Sequence, residues 1–279
     1  MLKQTVGVLQ ERLRRPELYV VSYPKSGRTW IELMVARFYE QRFGIPYNRM
    51  LSYRSGPLYA ANGCRVPAIR FGHGHRYQHF CQGRRFPVWF YRNARVALLI
   101  RDPRDVVVSY YHYQRFQLNS FQGSLDEFVR QRNPSRSSAG HASRCGIAPI
   151  LRYNAAWGRS SDTFQTFRTI RYEDFHIDAV AQLKQLLAFA GLQSTDEEIK
   201  DAVQFASFQN MRQLEQSGNL RWHGLPGGND SRGFKTRSGK VGGYRSELPP
   251  ETQSWLNEQI DQSDLESMTW YLRPSRNVA

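Results

Sequence analysis

The sequence predicts an α/β domain organised on parallel strands, and three segments carry that reading. Leu18 to Trp30 (LYVVSYPKSGRTW) passes from an apolar, β-branched stretch through a Pro/Gly-punctuated turn into a helical pattern. Val96 to Ile100 is a continuous apolar run of strand length, which suits a parallel strand buried on both faces; Pro103 and Asp105 then mark a turn into a helix. Phe164 to Ile170 reads as a further strand, with an amphipathic helix over Asp178 to Ala190. A chain of 279 residues at 40% hydrophobic content can bury one large core, and no repeat or linker divides it. One domain over 1–279 is expected.

In chain order, Leu2, Val6, Leu9 and Leu13 recur at helical spacing and predict a short packing helix before the first strand. The helix after Thr29 carries Ile31, Val35 and Phe38 on its buried face and stops at Gly44. Ile45 to Pro67 reads as loop. Ser124 and Thr195, each followed three residues later by Glu, open capped helices. Asn133 to Gly146 and Ser217 to Gly243 have little to bury and read as loops, Ile147 to Trp157 returns to a helical pattern, and Glu251 to Ile260 forms a last helix, with Trp270 and Tyr271 anchoring the tail.

Chemistry concentrates at two strand–helix joints. In the first, the turn at Lys25, Ser26 and Gly27 opens a helix, so backbone N–H groups and the helix dipole converge on a spot suited to an anion. Its Lys precedes the Gly, unlike the Gly-x-x-x-x-Gly-Lys-Ser/Thr loop that cradles nucleoside triphosphates with magnesium. In the second, Arg101 stands at the strand's C-terminal end and Ser109 about one turn into the helix, a guanidinium and a hydroxyl that can share one anionic ligand.

The net charge of +15 fits an anionic cofactor, with or without an anionic acceptor, at least as well as nucleic acid, since its Arg and Lys residues are scattered through loops and form no basic helix, zinc module or RNP-like strand. Charges interrupt the apolar residues of the N-terminus before a signal core or membrane span could form. Cys64, Cys81 and Cys145 make no paired motif and read as free thiols. A soluble protein in the reducing cytoplasm is expected, with no nucleic-acid partner and no membrane span.

Tyr23 to Trp30 (YPKSGRTW) resembles the 5′-phosphosulfate loop of sulfotransferases that use 3′-phosphoadenosine 5′-phosphosulfate (PAPS) as donor. Arg101 to His112 (RDPRDVVVSYYH) resembles that family's 3′-phosphate motif, Tyr172-Glu-Asp its adenine-side tyrosine segment, and Ala206 to Met211 (ASFQNM) its Thr-Ser-Phe-x-x-Met, with Ala206 in place of the Thr. Arg237 to Arg245 (RSGKVGGYR) is similar to the family's Arg-Lys-Gly-x-x-Gly-Asp-Trp-Lys closing loop; Arg237, Gly239 and Gly242 are kept, whereas Ser238, Gly243 and Tyr244 depart. Those departures, and a missing Lys-x-x-x-Thr-Val-x-x-x-Glu dimer segment, set the chain outside the best-known cytosolic branch.

The resemblance implies a P-loop-type three-layer α/β fold with a central parallel sheet and a sulfuryl transfer from PAPS to a hydroxyl or amine of a small-molecule or saccharide acceptor. It implies Lys25 at the bridging oxygen, Ser26, Gly27, Arg28 and Thr29 around the 5′-phosphate, Trp30, Tyr172, Phe208 and Met211 about the adenine, and Arg101, Ser109, Arg237, Ser238 and Gly239 about the 3′-phosphate, with no metal.

The base is the open point. The segment Pro67 to Cys81 (PAIRFGHGHRYQHFC) has Phe71-Gly72 where the family has Lys-Thr before its histidine. A short strand over Ala68 to Phe71 would deliver His73 as general base, with His75 as the alternative. His73, His75, His79 and Cys81 as metal ligands form a second reading, and ordinary loop residues a third, the one preferred for His79. A P-loop-type kinase and a basic nucleic-acid-binding protein are the competing functions.

Overall fold

The computed structural model describes residues 16–50, 60–61, 64–74, 91–131, 145–218, 232, 234–263 and 270–272. Strands β1 (Leu18–Ser22), β2 (Ile69–Gly72), β3 (Arg95–Ile100) and β4 (Thr166–Arg171) form one four-stranded sheet, every pair parallel, in the order β2-β1-β3-β4. Val21 lies opposite both Gly72 and Leu98, and Ile100 lies opposite Arg171. The C-terminal ends of the strands therefore share one edge of the sheet. The chain goes to one side of β1 for β2 and crosses to the other for β3, the arrangement that opens a crevice at the carboxyl ends of a parallel sheet.

The α-helices longer than four residues among the described residues are α1 (Arg28–Phe43), α2 (Pro103–His112), α3 (Leu125–Arg130), α4 (Ala148–Gly158), α5 (Tyr172–Ile177), α6 (Ala179–Phe189), α7 (Asp196–Phe205), α8 (Phe208–Gln216) and α9 (Pro250–Asp261). Successive strand side chains point to opposite faces, so the apolar runs Leu18–Val21 of β1 and Val96–Ile100 of β3 divide between two cores. Tyr19, Val21, Val96, Leu98 and Ile100 pack with Val106 and Tyr110 of α2, Ile150 and Trp157 of α4 and Leu256 of α9. Leu18, Val20, Ala97 and Leu99 pack with Ile31, Val35 and Phe38 of α1, Leu183 and Leu187 of α6 and Ile199 of α7. The result is the expected three-layer α/β domain.

Ser124 and Thr195 each form a complete capping box, and Gly44, at φ 66°, returns its N–H to Glu40 at 3.0 Å to end α1. Several local expectations need correction. The 45–67 stretch holds a helical turn at Tyr47–Met50 and a two-residue antiparallel pair, Ala60–Ala61 with Cys64–Arg65. β4 begins two residues later than its apolar pattern suggested, because Ser161–Thr163 forms a 3₁₀ turn that draws the Phe164 N–H to Ser161. Ser109 is the seventh residue of α2, nearly two turns in rather than one. α2 then widens into a π-helical turn at Tyr113–Gln117. The helix expected over Leu2 to Leu13 and most of the loops at 133–146 and 217–243 lie outside the described residues. Of the cysteines, Cys145 is buried and free, and burial pushes its thiol up to about 11.

Candidate active site

β1 is followed by Tyr23 to Gly27, a turn tight enough to hold Lys25 at φ 72°, where a non-glycine residue is unusual, and Gly27 at φ 92°. A Cβ on Gly27 would fall 2.2 Å from the Tyr172 ring, so glycine is required both by the backbone and by that close approach. α1 then starts with no side-chain cap and no acidic residue in its first turn. Its N-terminal dipole is left for an anion. The Lys25 ammonium lies 4.8 Å from the centre of the Tyr113 ring. Desolvation, followed by the charges of Lys235, Arg101 and Arg237 against that of Glu215, lowers its pKa to about 7.

At the end of β3, Arg101 is braced rather than solvated. Its guanidinium donates to the Lys25 carbonyl at 3.5 Å and the Lys240 carbonyl at 3.1 Å, and stacks 4.4 Å over the Tyr172 ring. Its Nε is buried without a partner among the described residues. Four residues on, Asp105 accepts from the N–H groups of Gly242 at 2.8 Å and Tyr244 at 3.0 Å, tying the 237–244 loop to the start of α2. Arg237 is paired with Glu247 at 2.7 Å, which also meets His112 Nε2 at 2.6 Å. A Cβ on Gly239 would strike the Phe208 ring at 2.6 Å.

Beyond β2, His73 is held by its Nδ1, 2.8 Å from the Ser22 carbonyl, while Tyr153 donates to the His73 carbonyl at 3.0 Å. A carbonyl can only accept, so Nδ1 carries the hydrogen and Nε2 of the neutral ring is the acceptor nitrogen. On the other side, Trp30 donates from its indole to the Ala206 carbonyl at 2.8 Å and packs edge-on to Tyr172, with ring centres 5.6 Å apart. His176 lies 4.8 Å from Trp30 and 4.6 Å from Tyr172.

These groups line one cavity of about 370 Å³. Lys25, Gly27, Arg28, Thr29, Trp30, His73, Arg101, Ser109, Tyr172, Phe208, Met211, Arg237, Ser238 and Gly239 all reach it. Ser26 does not; it is buried in the turn with its N–H toward the Tyr23 carbonyl at 3.3 Å. His75, His79 and Cys81 lie outside the described residues, and among those described no three His, Cys, Asp or Glu side chains are grouped to hold a metal. Sequence reasoning missed Asp105, His176, Lys235 and Glu247, which also line the cavity. Asp105 stood inside a quoted motif; the other three are brought in by tertiary contacts.

Fold and site together define a P-loop-type α/β domain whose crevice is walled by cations and aromatic rings. The family model for the sulfotransferase domain matches residues 82–269, and the chain belongs to that family. It is 27% identical over 257 residues to sulfotransferase 6B1 of Pan troglodytes, covering 89% of this chain and 75% of that protein. With flavonol 3-sulfotransferase of Flaveria bidentis the identity is 24%, over 88% of this chain and 81% of the relative. The solved structure of mouse sulfotransferase SULT7A1 complexed with PAP has the same fold, with TM-score 0.59 and 19% identity over 94% of this chain and 88% of that one. Among the described residues no helix is long and apolar enough to cross a membrane.

Proposed function

We propose that the chain acts as a single-domain cytoplasmic enzyme that moves a sulfuryl group from PAPS to a hydroxyl or amine of a small-molecule or saccharide acceptor, without a metal. The cavity fits such a donor on three counts: an uncapped helix N-terminus beside a desolvated ammonium, a buried Arg101 Nε that lacks a partner among the described residues, and a wall of Trp30, Tyr172 and Phe208. PAPS supplies the sulfuryl group already attached to a phosphate leaving group. In this reading Gly27 and the first turn of α1, with Arg28 and Thr29, receive the 5′-phosphate, while Ser26 stays buried in the turn beneath them. Arg101, Ser109, Arg237, Ser238 and Gly239 receive the 3′-phosphate, and Met211 lies with the aromatic rings about the base.

His73 accepts the acceptor's proton at Nε2 as the oxygen–sulfur bond forms, and its Nδ1–H keeps the ring in place against Ser22. Lys25 stabilises the negative charge that gathers on the leaving oxygen as the old sulfur–oxygen bond breaks. The observation that carries this reading is the convergence of Lys25, His73 and Arg101, from the ends of three neighbouring strands, on one cavity. Incubation with ³⁵S-labelled PAPS and a panel of phenols, alcohols, amines and saccharides is the direct test, with label expected on an acceptor and transfer surviving EDTA. Thermal stabilisation by ATP–Mg²⁺ or a DNA oligomer, and not by 3′-phosphoadenosine 5′-phosphate, would contradict it.

A further inference from the structure

Lys235 lines this cavity and is left unused by the mechanism above. It lies on the segment leading into the 237–244 loop, and its Nζ donates to Thr29 Oγ1, in the first turn of α1, at 3.0 Å. Its backbone is fixed from below: the N–H donates to Glu215 at 2.8 Å, and the next residue, Thr236, donates both N–H and hydroxyl to the same carboxylate at 3.0 and 2.6 Å. Glu215 is fully buried, and both its oxygens are occupied by these loop contacts. The charged groups facing the Lys235 ammonium are Arg28 and Glu32 of α1, Glu215 of α8 and Lys25 of the β1–α1 turn. Glu32 is itself committed to Arg28 at 3.7 Å. Desolvation, then Arg28, lowers Lys235 to about 8 against the pull of Glu32 and Glu215, and Lys235 is in turn the strongest charge lowering Lys25. Two ammoniums crowded together out of water, at a helix end with no acidic residue in its first turn, are arranged against the folded chain's own interest and toward an anion.

We infer that Lys235 is a donor-binding residue, a second ammonium that joins Lys25 and Thr29 on the 5′-phosphate. The inference rests on the proposed PAPS site and adds to it a cation from the closing loop. It gives that loop a contact at the 5′ end as well as the 3′ end of the nucleotide, so that Glu215, through Lys235 and Thr236, sets the loop's register on the donor.

The test compares wild type, Lys235→Met and Lys235→Gln by calorimetric titration with 3′-phosphoadenosine 5′-phosphate and with adenosine 3′-phosphate, which lacks the 5′-phosphate. Each variant should lose about 10–100-fold in affinity for the first nucleotide and less than about threefold for the second. An unchanged affinity for the bisphosphate, or equal losses for both nucleotides, overturns the assignment. Proton linkage gives a second readout. The 5′-phosphate is fully ionised above about pH 7.5, so a fall in wild-type affinity between about pH 7.5 and 9.5 reports ammonium groups that must regain protons to bind. That fall should be shallower in Lys235→Met by up to one proton, and identical slopes overturn the inference. If wild type binds neither nucleotide, the PAPS reading itself has failed.

Discussion

The β1–α1 and β3–α2 joints are built alike, from a buried parallel strand, a short turn and a helix, yet they treat their helix ends in opposite ways. α1 begins without a side-chain cap or an acidic residue, so its backbone dipole is open to a ligand. α2 is closed: Asp102 caps it by accepting from the Arg104 N–H at 2.9 Å, Pro103 removes one donor, and Asp105 is spent on the Gly242 and Tyr244 N–H groups. What the second joint offers is side chains, Arg101 before the helix and Ser109 within it. A helix N-terminus at the carboxyl edge of a sheet is thus no anion site until its caps have been counted. The same architecture can give one joint that works through backbone and ammonium and one that works through guanidinium and hydroxyl.

If the chemistry is confined to the open joint and its neighbour β2, the largest effects belong there. His73→Ala should lower turnover by ~10²–10⁴, and the deficit should shrink for phenols of low pKa, whose proton needs less help to leave. Lys25→Ala should lower kcat by about 10²–10³ while affinity for PAPS itself changes less than tenfold, because the charge it meets develops in the transition state. A low-pKa phenol should leave this variant slow. Equal rescue of both variants would show that the two residues share one task, and acceptor dependence in His75→Ala with full activity in His73→Ala would move the base to His75.

Gly27→Ala tests the frame of the open joint. It forces a Cβ into the Tyr172 ring at a positive φ and should cost about 2–4 kcal/mol in denaturant unfolding, with the donor site lost alongside. Asp105→Ala tests the closed joint. It leaves the N–H groups of Gly242 and Tyr244 without their acceptor, for a smaller loss of about 1–3 kcal/mol in unfolding and weaker nucleotide binding. If Asp105→Ala instead raised nucleotide affinity, the freed N–H groups would themselves be phosphate donors and the α2 end would not be closed.

The joints were legible in the sequence because each is a local object. An apolar run, a Gly or Pro turn and a helix start lie within about a dozen residues, and the cap residues Ser124 and Thr195 act on their own helices. The rest depends on the fold. Glu215 reads as an ordinary polar residue of α8 until the loop 20 residues on supplies two N–H groups and a hydroxyl to its carboxylate. Glu247 shows nothing of its pairing with both Arg237 and His112, which lies 135 residues away. His176 follows Tyr172 by one helical turn, and periodicity alone could have put the two rings together; what it could not supply was Trp30 against them from α1. The helical turn at Tyr47–Met50 is too short for any periodic signal.

The division of labour between the joints rests most directly on Arg101. Calorimetric titration of Arg101→Ala with 3′-phosphoadenosine 5′-phosphate and with adenosine 5′-phosphate separates the two ends of the donor. The bisphosphate should bind about 2–4 kcal/mol more weakly than to wild type, since its 3′-phosphate loses a partly buried guanidinium, while adenosine 5′-phosphate, already weak, should bind nearly unchanged. Equal losses for both nucleotides, or wild-type protein that binds the two alike, would mean that Arg101 does not read a 3′-phosphate and that the closed joint has no anion of its own.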